Sequence, residues 1–600
     1  MDSNYLSLFF LFLSVHCSKI TARNDASMES KLGFPSTSSA KVTGVTAQTK
    51  YVVGNSEAKT YKLNAGDVVE IRADHGNWSF MILQVHSQRL NITLASDNQS
   101  VVGKKVTGKD VGMLLINNMQ QLQWYVTNNN KEDINILYKL DVYEFNVPVP
   151  GACNLDFPLE NDPNMHLFYN HFVTINEFQY ADLGIPPHGK LPLSCEDKAK
   201  QDLLEYDFYV SHMTEGDLSE EHYLDSLKSM LNGASVDSVP AHSAMVSTLH
   251  YRDQTNISIA TFPGVGTIST MVVRQKGATT QAKSAAYVTT VTYGCDLSDA
   301  DKCFYANRLG LQVVCSIAGV VGLFLCFCGH KFFKIEMYLV GFLTVSLVTY
   351  LVLSLVTGLD YTVILVLCLT AGVIGGGLWL LFWWYVGVPV ISVLLVGLLL
   401  GYLITSIVFN LTPMGNLSVW NTAFNYGMAF ACGVLVIPVF LLSFTKTLNI
   451  LTCAIVGSYG VVLAVNAYLH TSLFHILVLS LYKATVPGFL TVKVVVPFQL
   501  YDMLLCVGWG VLAIIGMAVQ FATEKGKPDF PPCPHQQNKH RQAMMSVNTS
   551  QREINNLAGS EREPLLARQR ERGRHQHRAE PPPPYTECAD ENIRTDWGSS

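Results

Sequence analysis

The residues in this 600-residue sequence best suited to chemistry are its 14 cysteines. Four of them, Cys153, Cys195, Cys295 and Cys303, precede a long apolar region. An even number of cysteines in an exported segment reads as a disulfide framework. Three connectivities are open. The sequence-local pairing, Cys153 with Cys195 and Cys295 with Cys303, is favoured; the alternative leaves one pair reduced and buried. Cys315, Cys326, Cys328, Cys368, Cys432, Cys453 and Cys506 fall in or beside apolar runs, and Cys533 and Cys588 in a polar tail.

No catalytic set accompanies these thiols. The sequence has no two histidines at i, i+4 beside a glutamate and no G-x-S-x-G turn. The acidic run 156–163 could bind Ca²⁺, but such a run is more often a solvated loop. Neither enzyme activity nor a cofactor or metal site is expected. The net charge of -6, without a concentrated basic face, gives no reason to expect nucleic acid as a partner.

The remaining chemistry is modification and recognition. Asn77, Asn91, Asn98 and Asn256 head N-x-Ser/Thr acceptors in the first half, and Asn410 and Asn416 do so between two apolar runs. In the tail, Glu561, Leu565 and Leu566 have the acidic dileucine spacing read by clathrin adaptors. Pro582, Pro583 and Tyr585 belong to a PPxY motif, whose polyproline II helix docks on aromatic-lined WW grooves. A WW-domain ubiquitin ligase is the usual reader. Both motifs are read as trafficking signals, against the blander readings of a chance match and a proline spacer.

These residues must be positioned by four regions. Residues 1–18 read as a signal peptide, because the apolar run 5–15 is too short to span a bilayer. Residues 19–307 form a glycosylated, β-rich ectodomain in two units, about 45–150 and 151–307. Short alternating stretches separated by Gly, Asn and Asp predict strands; Ile134, Ile136, Tyr138, Leu140 and Val142 are the clearest. The expected fold is a tandem of β-sandwich or jelly-roll units. One helix interrupts the second, with Tyr223, Leu224, Leu227, Met230 and Leu231 on one face, Asp217 or Ser219 as cap, and Gly233 at its end.

Residues 308–522 contain seven apolar runs of spanning length, at about 309–329, 338–358, 361–381, 388–409, 423–444, 448–469 and 500–521. The fold class is thus a multi-pass α-helical membrane protein with seven spans, its N-terminus outside and its C-terminus inside. Lys331, Lys334, Lys446, Lys525 and Lys527 would face inward, and Lys483 and Lys493 outward. Residues 523–600 read as a disordered cytosolic tail.

The motifs of a classical G-protein-coupled receptor are missing. No Asp/Glu-Arg-Tyr ends the third run, and no Asn-Pro-x-x-Tyr lies in the seventh. Helix centres are nearly free of charge, which argues against a coupled transporter. Gly372 and Gly376 in the third run, and Gly397 and Gly401 in the fourth, allow close helix approach. Packing within the bundle is the bland reading; a homo-oligomer seam or a substrate passage is the sharper one.

The order of signal, β-rich region, compact seven-helix core and short tail resembles the transmembrane seven superfamily member three family. The Gly-rich third and fourth runs, with Phe382-Trp-Trp-Tyr-Val-Gly-Val-Pro389 between them, carry the likeness. The core is also similar to the transmembrane protein 198 group. The resemblance implies a non-enzymatic, pro-survival membrane protein that attenuates endoplasmic-reticulum stress and the unfolded protein response. An unknown extracellular ligand, the lipid bilayer and the two tail readers are the expected partners. The expected location is the plasma membrane with cycling through endosome and lysosome. Two alternatives stay open: a channel or lipid/ion transporter built on the Gly-rich helices, and an atypical receptor.

Overall fold

The structure is a computed structural model. It describes residues 48–572, apart from short internal stretches of which 97–104, 118–122, 186–194, 196–201, 234–242, 278–283 and 298–302 are the longest. The signal segment, Asn98 and the PPxY motif lie outside the described residues.

Nine strands build the first unit: β1 (Gln48–Val52), β2 (Lys59–Leu63), β3 (Val68–Ala73), β4 (Phe80–His86), β5 (Ile92–Ala95), β6 (Lys105–Gly108), β7 (Asp110–Ile116), β8 (Gln123–Thr127) and β9 (Ile134–Tyr143). They form two facing sheets, β1-β3-β8-β5-β6 and β2-β9-β4-β7. Alternate residues fill the space between them, including Leu83, Val85, Trp124, Ile136 and Leu140.

The second unit has β10 (His166–Tyr169), β11 (Val173–Glu177), β12 (Leu204–His212), β13 (Ala244–His250), β14 (Asn256–Ala260), β15 (Thr267–Gln275), β16 (Ser284–Ala286) and β17 (Thr290–Thr292). Its sheets are β10-β11-β14 and β13-β12-β15-β16, with β17 also on β15. Helix α1 (Glu220–Gly233) interrupts them where expected. Ser219 Oγ accepts the His222 N–H as its cap, and Asp217 Oδ1 accepts the Ser219 N–H.

The polar-patterned face of β9, which alternation alone would leave to water, is covered. Leu137 packs with Leu227 and Leu231 of α1. Lys139 is buried, pairs with Asp141 at 2.8 Å, and donates to the Leu231 carbonyl at 2.8 Å near the helix end. Strand β4 is buried on both faces: Phe80 and Ile82 enter the core of the second unit. The two sandwiches therefore share a wall, which alternation within one strand does not reveal.

Each unit ends in a strand and a left-handed glycine before a cysteine. Gly151 has φ +65° and Gly294 φ +67°. A Cβ at Gly151 would sit 1.6 Å from the Asp162 carbonyl oxygen, so only glycine fits. Cys153 is bonded to Cys195 and Cys295 to Cys303, closing loops of sequence separation 42 and 8. The longer loop loses more chain entropy on closure. In the loop-entropy account, Cys153→Ser with Cys195→Ser costs about 4 kcal/mol, and the Cys295/Cys303 pair about 2.5 kcal/mol. Thermal unfolding of the full chain in nanodiscs checks this order; an equal or reversed ranking refutes it.

Each of the seven apolar runs coincides with a helix: α2 (Arg308–Cys328), α3 (Phe333–Val356), α4 (Tyr361–Val386), α5 (Pro389–Leu411), α6 (Ala423–Leu441), α7 (Thr445–Leu469) and, after a short helix α8 (His475–Thr485), α9 (Leu500–Thr523). Five helical stretches are long and apolar enough to cross a membrane. One of them, Ala423–Leu469, spans 47 residues. It contains both α6 and α7, which are divided by the 3₁₀ turn Leu442–Phe444 shortly after Pro438. The stretch Gln312–Cys328 is shorter.

The link between the last two runs is not a simple outer loop. Helix α8 has 11 residues, too few to span, and packs beside the C-terminal half of α5. Tyr402 Oη donates to the Leu477 carbonyl at 3.1 Å, and Ser480 Oγ to Ser406 Oγ at 3.1 Å.

The tail departs from the expected disorder over Pro534–Arg572, which form a 39-residue helix, α10. Its middle is exposed throughout residues 537–556. The segment is rich in Gln, Arg, Glu, Ala and Met, strong helix formers, so local propensity suffices without a core-facing stripe. The segment Phe382–Gly387 and helix α10 belong to a compact unit separate from the rest.

Candidate functional site: the joint between sandwich and helices

The most elaborate polar arrangement joins the second sandwich to the helices, and it starts from an unpaired edge. β14 ends the sheet β10-β11-β14. The chain at Lys493, just before α9, lies parallel against it. The Lys493 N–H donates to the Ser258 carbonyl at 2.9 Å, and the Ala260 N–H to the Lys493 carbonyl at 2.9 Å. Behind this bridge, Ala260, Phe262 and Val265 pack with Leu479, Phe489, Val492 and Val494 in one buried cluster.

Beside the cluster, two carboxylates from distant parts of the chain meet at one serine. Asp502, buried in the first turn of α9, accepts the Ser472 N–H at 2.8 Å through Oδ1 and the Gln499 N–H at 3.0 Å through Oδ2. Gln499 caps α9 and donates its side-chain amide to the Met213 carbonyl at 2.7 Å. Ser472 Oγ lies within hydrogen-bond reach of Glu215 Oε1 and 2.6 Å from the Pro497 carbonyl oxygen. A hydroxyl has one proton, so Ser472 divides its donation between the Glu215 carboxyl and the Pro497 carbonyl. Burial pushes the Glu215 carboxyl up to about 7; the Ser472 bond opposes the rise and the Asp502 charge adds to it. Nearby, His212 donates through Nε2 to the Val495 carbonyl at 3.0 Å, and burial holds its imidazole down at about 4. The ring of Phe262 stands between those of His212 and His475, edge-on to each.

Chemically, the arrangement can hold or release a proton where two bodies meet. Among the described residues no three His, Cys, Asp or Glu side chains converge to hold a metal ion.

Comparison with known proteins agrees with this division of the chain. Residues 49–143 match the TM7SF3-like, N-terminal immunoglobulin-like domain, and residues 148–298 the TM7SF3-like, second immunoglobulin-like domain. Residues 315–521 match the TM7S3/TM198-like domain. The Rattus norvegicus protein "Transmembrane 7 superfamily member 3" is 36% identical over 471 residues, 78% of this chain and 82% of that protein. Its Homo sapiens counterpart is 36% identical over 465 residues, 76% of this chain and 80% of that protein. The chain belongs to the transmembrane 7 superfamily member 3 family.

Within this family member, the residues singled out from the sequence have diverse surroundings. Asn77, Asn91 and Asn256 are exposed. Asn410 is not an available acceptor: its side chain is buried, and Nδ2 donates to the Ile476 carbonyl at 2.7 Å and to Ser480 Oγ at 2.8 Å. The sequon reading fails there because Asn410 lies in the last turn of α5, against α8. Asn416 is half-buried and brackets Val494, with Nδ2 to its carbonyl and Oδ1 from its N–H, both at 2.8 Å. A glycan on either nitrogen is incompatible with these bonds. Lys493 Nζ donates to the Asn416 carbonyl at 2.8 Å, and Lys483 Nζ lies 5.1 Å from the centre of the Tyr426 ring.

The named glycines are consumed by packing inside this chain. Gly372 and Gly376 face Phe342, Ser346 and Tyr338 of α3. Gly397 and Gly401 face Pro438 and Val434 of α6. Sequence reasoning missed another backbone-to-backbone crossing: Gly322 of α2 against Gly457 and Gly460 of α7. Their i, i+3 spacing, Gly319 to Gly322 and Gly457 to Gly460, was the available signal. Glu561, Leu565 and Leu566 lie on α10.

Glu215, Ser472 and Gln499 were also missed. No local signal pairs Asp502 with Glu215, which lies far from it in the sequence.

Proposed function

We propose that the protein is a non-enzymatic coupling device, in which the state of the immunoglobulin-like units is passed to the membrane helices through Glu215, Ser472 and Asp502. The observation that supports this reading most is the single serine shared by an ectodomain carboxyl and a helix carboxyl. In this reading the seven apolar runs cross the bilayer seven times, with the N-terminus outside and the tail in the cytosol. The dileucine and PPxY motifs, read by a clathrin adaptor and a WW-domain ubiquitin ligase, carry the protein from the plasma membrane into endosomes and lysosomes. The acidity met there tightens the joint. The pro-survival, stress-attenuating role is exerted by the coupled form.

The sign follows from proton linkage. The folded Glu215 binds its proton more tightly than the unfolded chain does. The joint is therefore fully stabilised below about pH 4.5, and it loses stability as pH rises through about 7. Because the group is half exposed, the swing is about 1–2 kcal/mol rather than the full shift. Glu215→Gln is expected to remove this dependence. Amide exchange around 212–217 and 471–476 should rise with pH in the native protein and stay level in the variant. In cells lacking the protein, an unfolded-protein-response reporter should be quietened by the native chain. It should not be quietened by Ser472→Leu delivered to the same membrane. Equal rescue, or a pH response that survives Glu215→Gln, rules the reading out.

A further inference from the structure

At the opposite end of the bundle from the joint, a second carboxylate is buried without a counter-ion. Glu336, in the first turn of α3, is 1% exposed. Asn449 of α7, 0% exposed, uses both its N–H groups: one donates to Glu336 Oε2 at 2.9 Å and one to His330 Nδ1 at 3.0 Å. His330 therefore offers a lone pair and is neutral. Two oxygens are left over. Glu336 Oε1 and Asn449 Oδ1 are both buried with no hydrogen-bond partner. They belong to two groups tied together by the 2.9 Å bond.

The nearby cations are committed elsewhere. Lys446 Nζ donates to the carbonyls of Glu524 and Lys527 at 3.1 and 2.9 Å and lies 3.7 Å from Asp529. Lys527 pairs with Glu524 at 3.0 Å. Cys453, one turn along α7 from Asn449, hydrogen-bonds through its side chain to the Glu336 carboxyl. Gln520 of α9 closes the far side, donating to the Leu325 and Cys326 carbonyls at 3.1 and 2.7 Å and accepting the His330 N–H at 3.3 Å.

A carboxylate sealed from water without a positive partner is too costly to persist as a bare ion. In a membrane domain such a group marks a bound cation or a held proton. We propose that Glu336 and Asn449, the latter held in place by His330, form a binding site for a monovalent cation, a proton or Na⁺, between α3, α7 and the α2 end. The donor set fits that class. It offers one negative charge and a neutral amide oxygen, whereas a divalent ion calls for more carboxylates. The bound cation neutralises the acid and lets the α2–α3 corner lock onto α7.

The test uses the full chain in nanodiscs of uncharged lipid, carrying Glu215→Gln so that the joint contributes no pH response. Thermal unfolding is followed while NaCl replaces choline chloride at constant ionic strength, and separately from about pH 5 to about pH 9. If Na⁺ is the occupant, the folded-to-unfolded ratio rises by up to about tenfold for each tenfold rise in Na⁺. If the occupant is a proton, Na⁺ has no effect and the ratio falls by up to about tenfold per pH unit as pH rises. Either response should disappear in Glu336→Gln. Asn449→Asp adds a second acid and should steepen it, whereas a merely structural amide would lose stability with no change of slope. Coincident slopes for the parent and Glu336→Gln in both titrations overturn the proposal. If Glu336→Gln does not fold, an unchanged slope in Asn449→Asp does so.

Discussion

Gly322→Leu is expected to abolish accumulation of folded protein. Helices α2 and α7 touch through their backbones, and a Cβ at Gly322 would stand 2.4 Å from the Gly457 carbonyl oxygen and 3.1 Å from the Gly460 Cα. Gly457 is equally confined, 2.6 Å from the Cys326 backbone nitrogen. Neither obstacle is a flexible side chain, so the helices must separate to admit any substituent. Overpacking of this kind costs about 3 kcal/mol or more. In lipid no hydrophobic gain between helices compensates for the lost close contact. Gly377→Ala is the matched control, because nothing lies within 4 Å of a Cβ there. It should be neutral, or better by up to about 1 kcal/mol through helix propensity. The check is the yield of monodisperse protein and its thermal midpoint. Comparable behaviour of the two variants would contradict the crossing.

The second large effect is expected at the joint. Phe489 is fully buried among Ala260, Phe262, Leu479, Val492 and Val494. Phe489→Ala removes a ring shared by both bodies and leaves a cavity, at a cost of about 3–5 kcal/mol. Each sandwich keeps its own core, so the loss should appear as undocking rather than unfolding. The amide of Ala260, which donates to the Lys493 carbonyl, then exchanges about 10²–10³-fold faster. The amide of Ile136, inside the first sandwich, should be unaffected. A uniform acceleration throughout the ectodomain would show that the two bodies do not separate there.

The features legible in the sequence were those written locally. The seven apolar runs became helices because twenty or so apolar residues admit little else in lipid. Helix α1 was readable from the spacing of Tyr223, Leu227 and Met230 and from its Ser219 cap. The loops closed by Cys153–Cys195 and Cys295–Cys303 follow sequence order. Features that depend on distant partners were not legible. Glu215 and Ser472 are 257 residues apart, and each alone looks like an ordinary polar loop residue. Glu336 fell at the edge of an apolar run, where a charge is unremarkable, until the α2–α3 corner folded it inward. Asn410 satisfied a sequon but was needed by α8. The outward residues of β9 read as solvent-facing because a strand's alternation does not say what covers its second face.

The bridge at Lys493 has one more consequence. β14 presents a row of unpaired backbone groups on the rim of its sheet, the kind of surface that recruits strands from other molecules. Here the chain itself, arriving more than two hundred residues later, occupies that rim. An ectodomain severed from its helices is accordingly an unfinished sheet, prone to stick to copies of itself. The membrane portion thus serves as the chaperoning lid of the domain that was made before it.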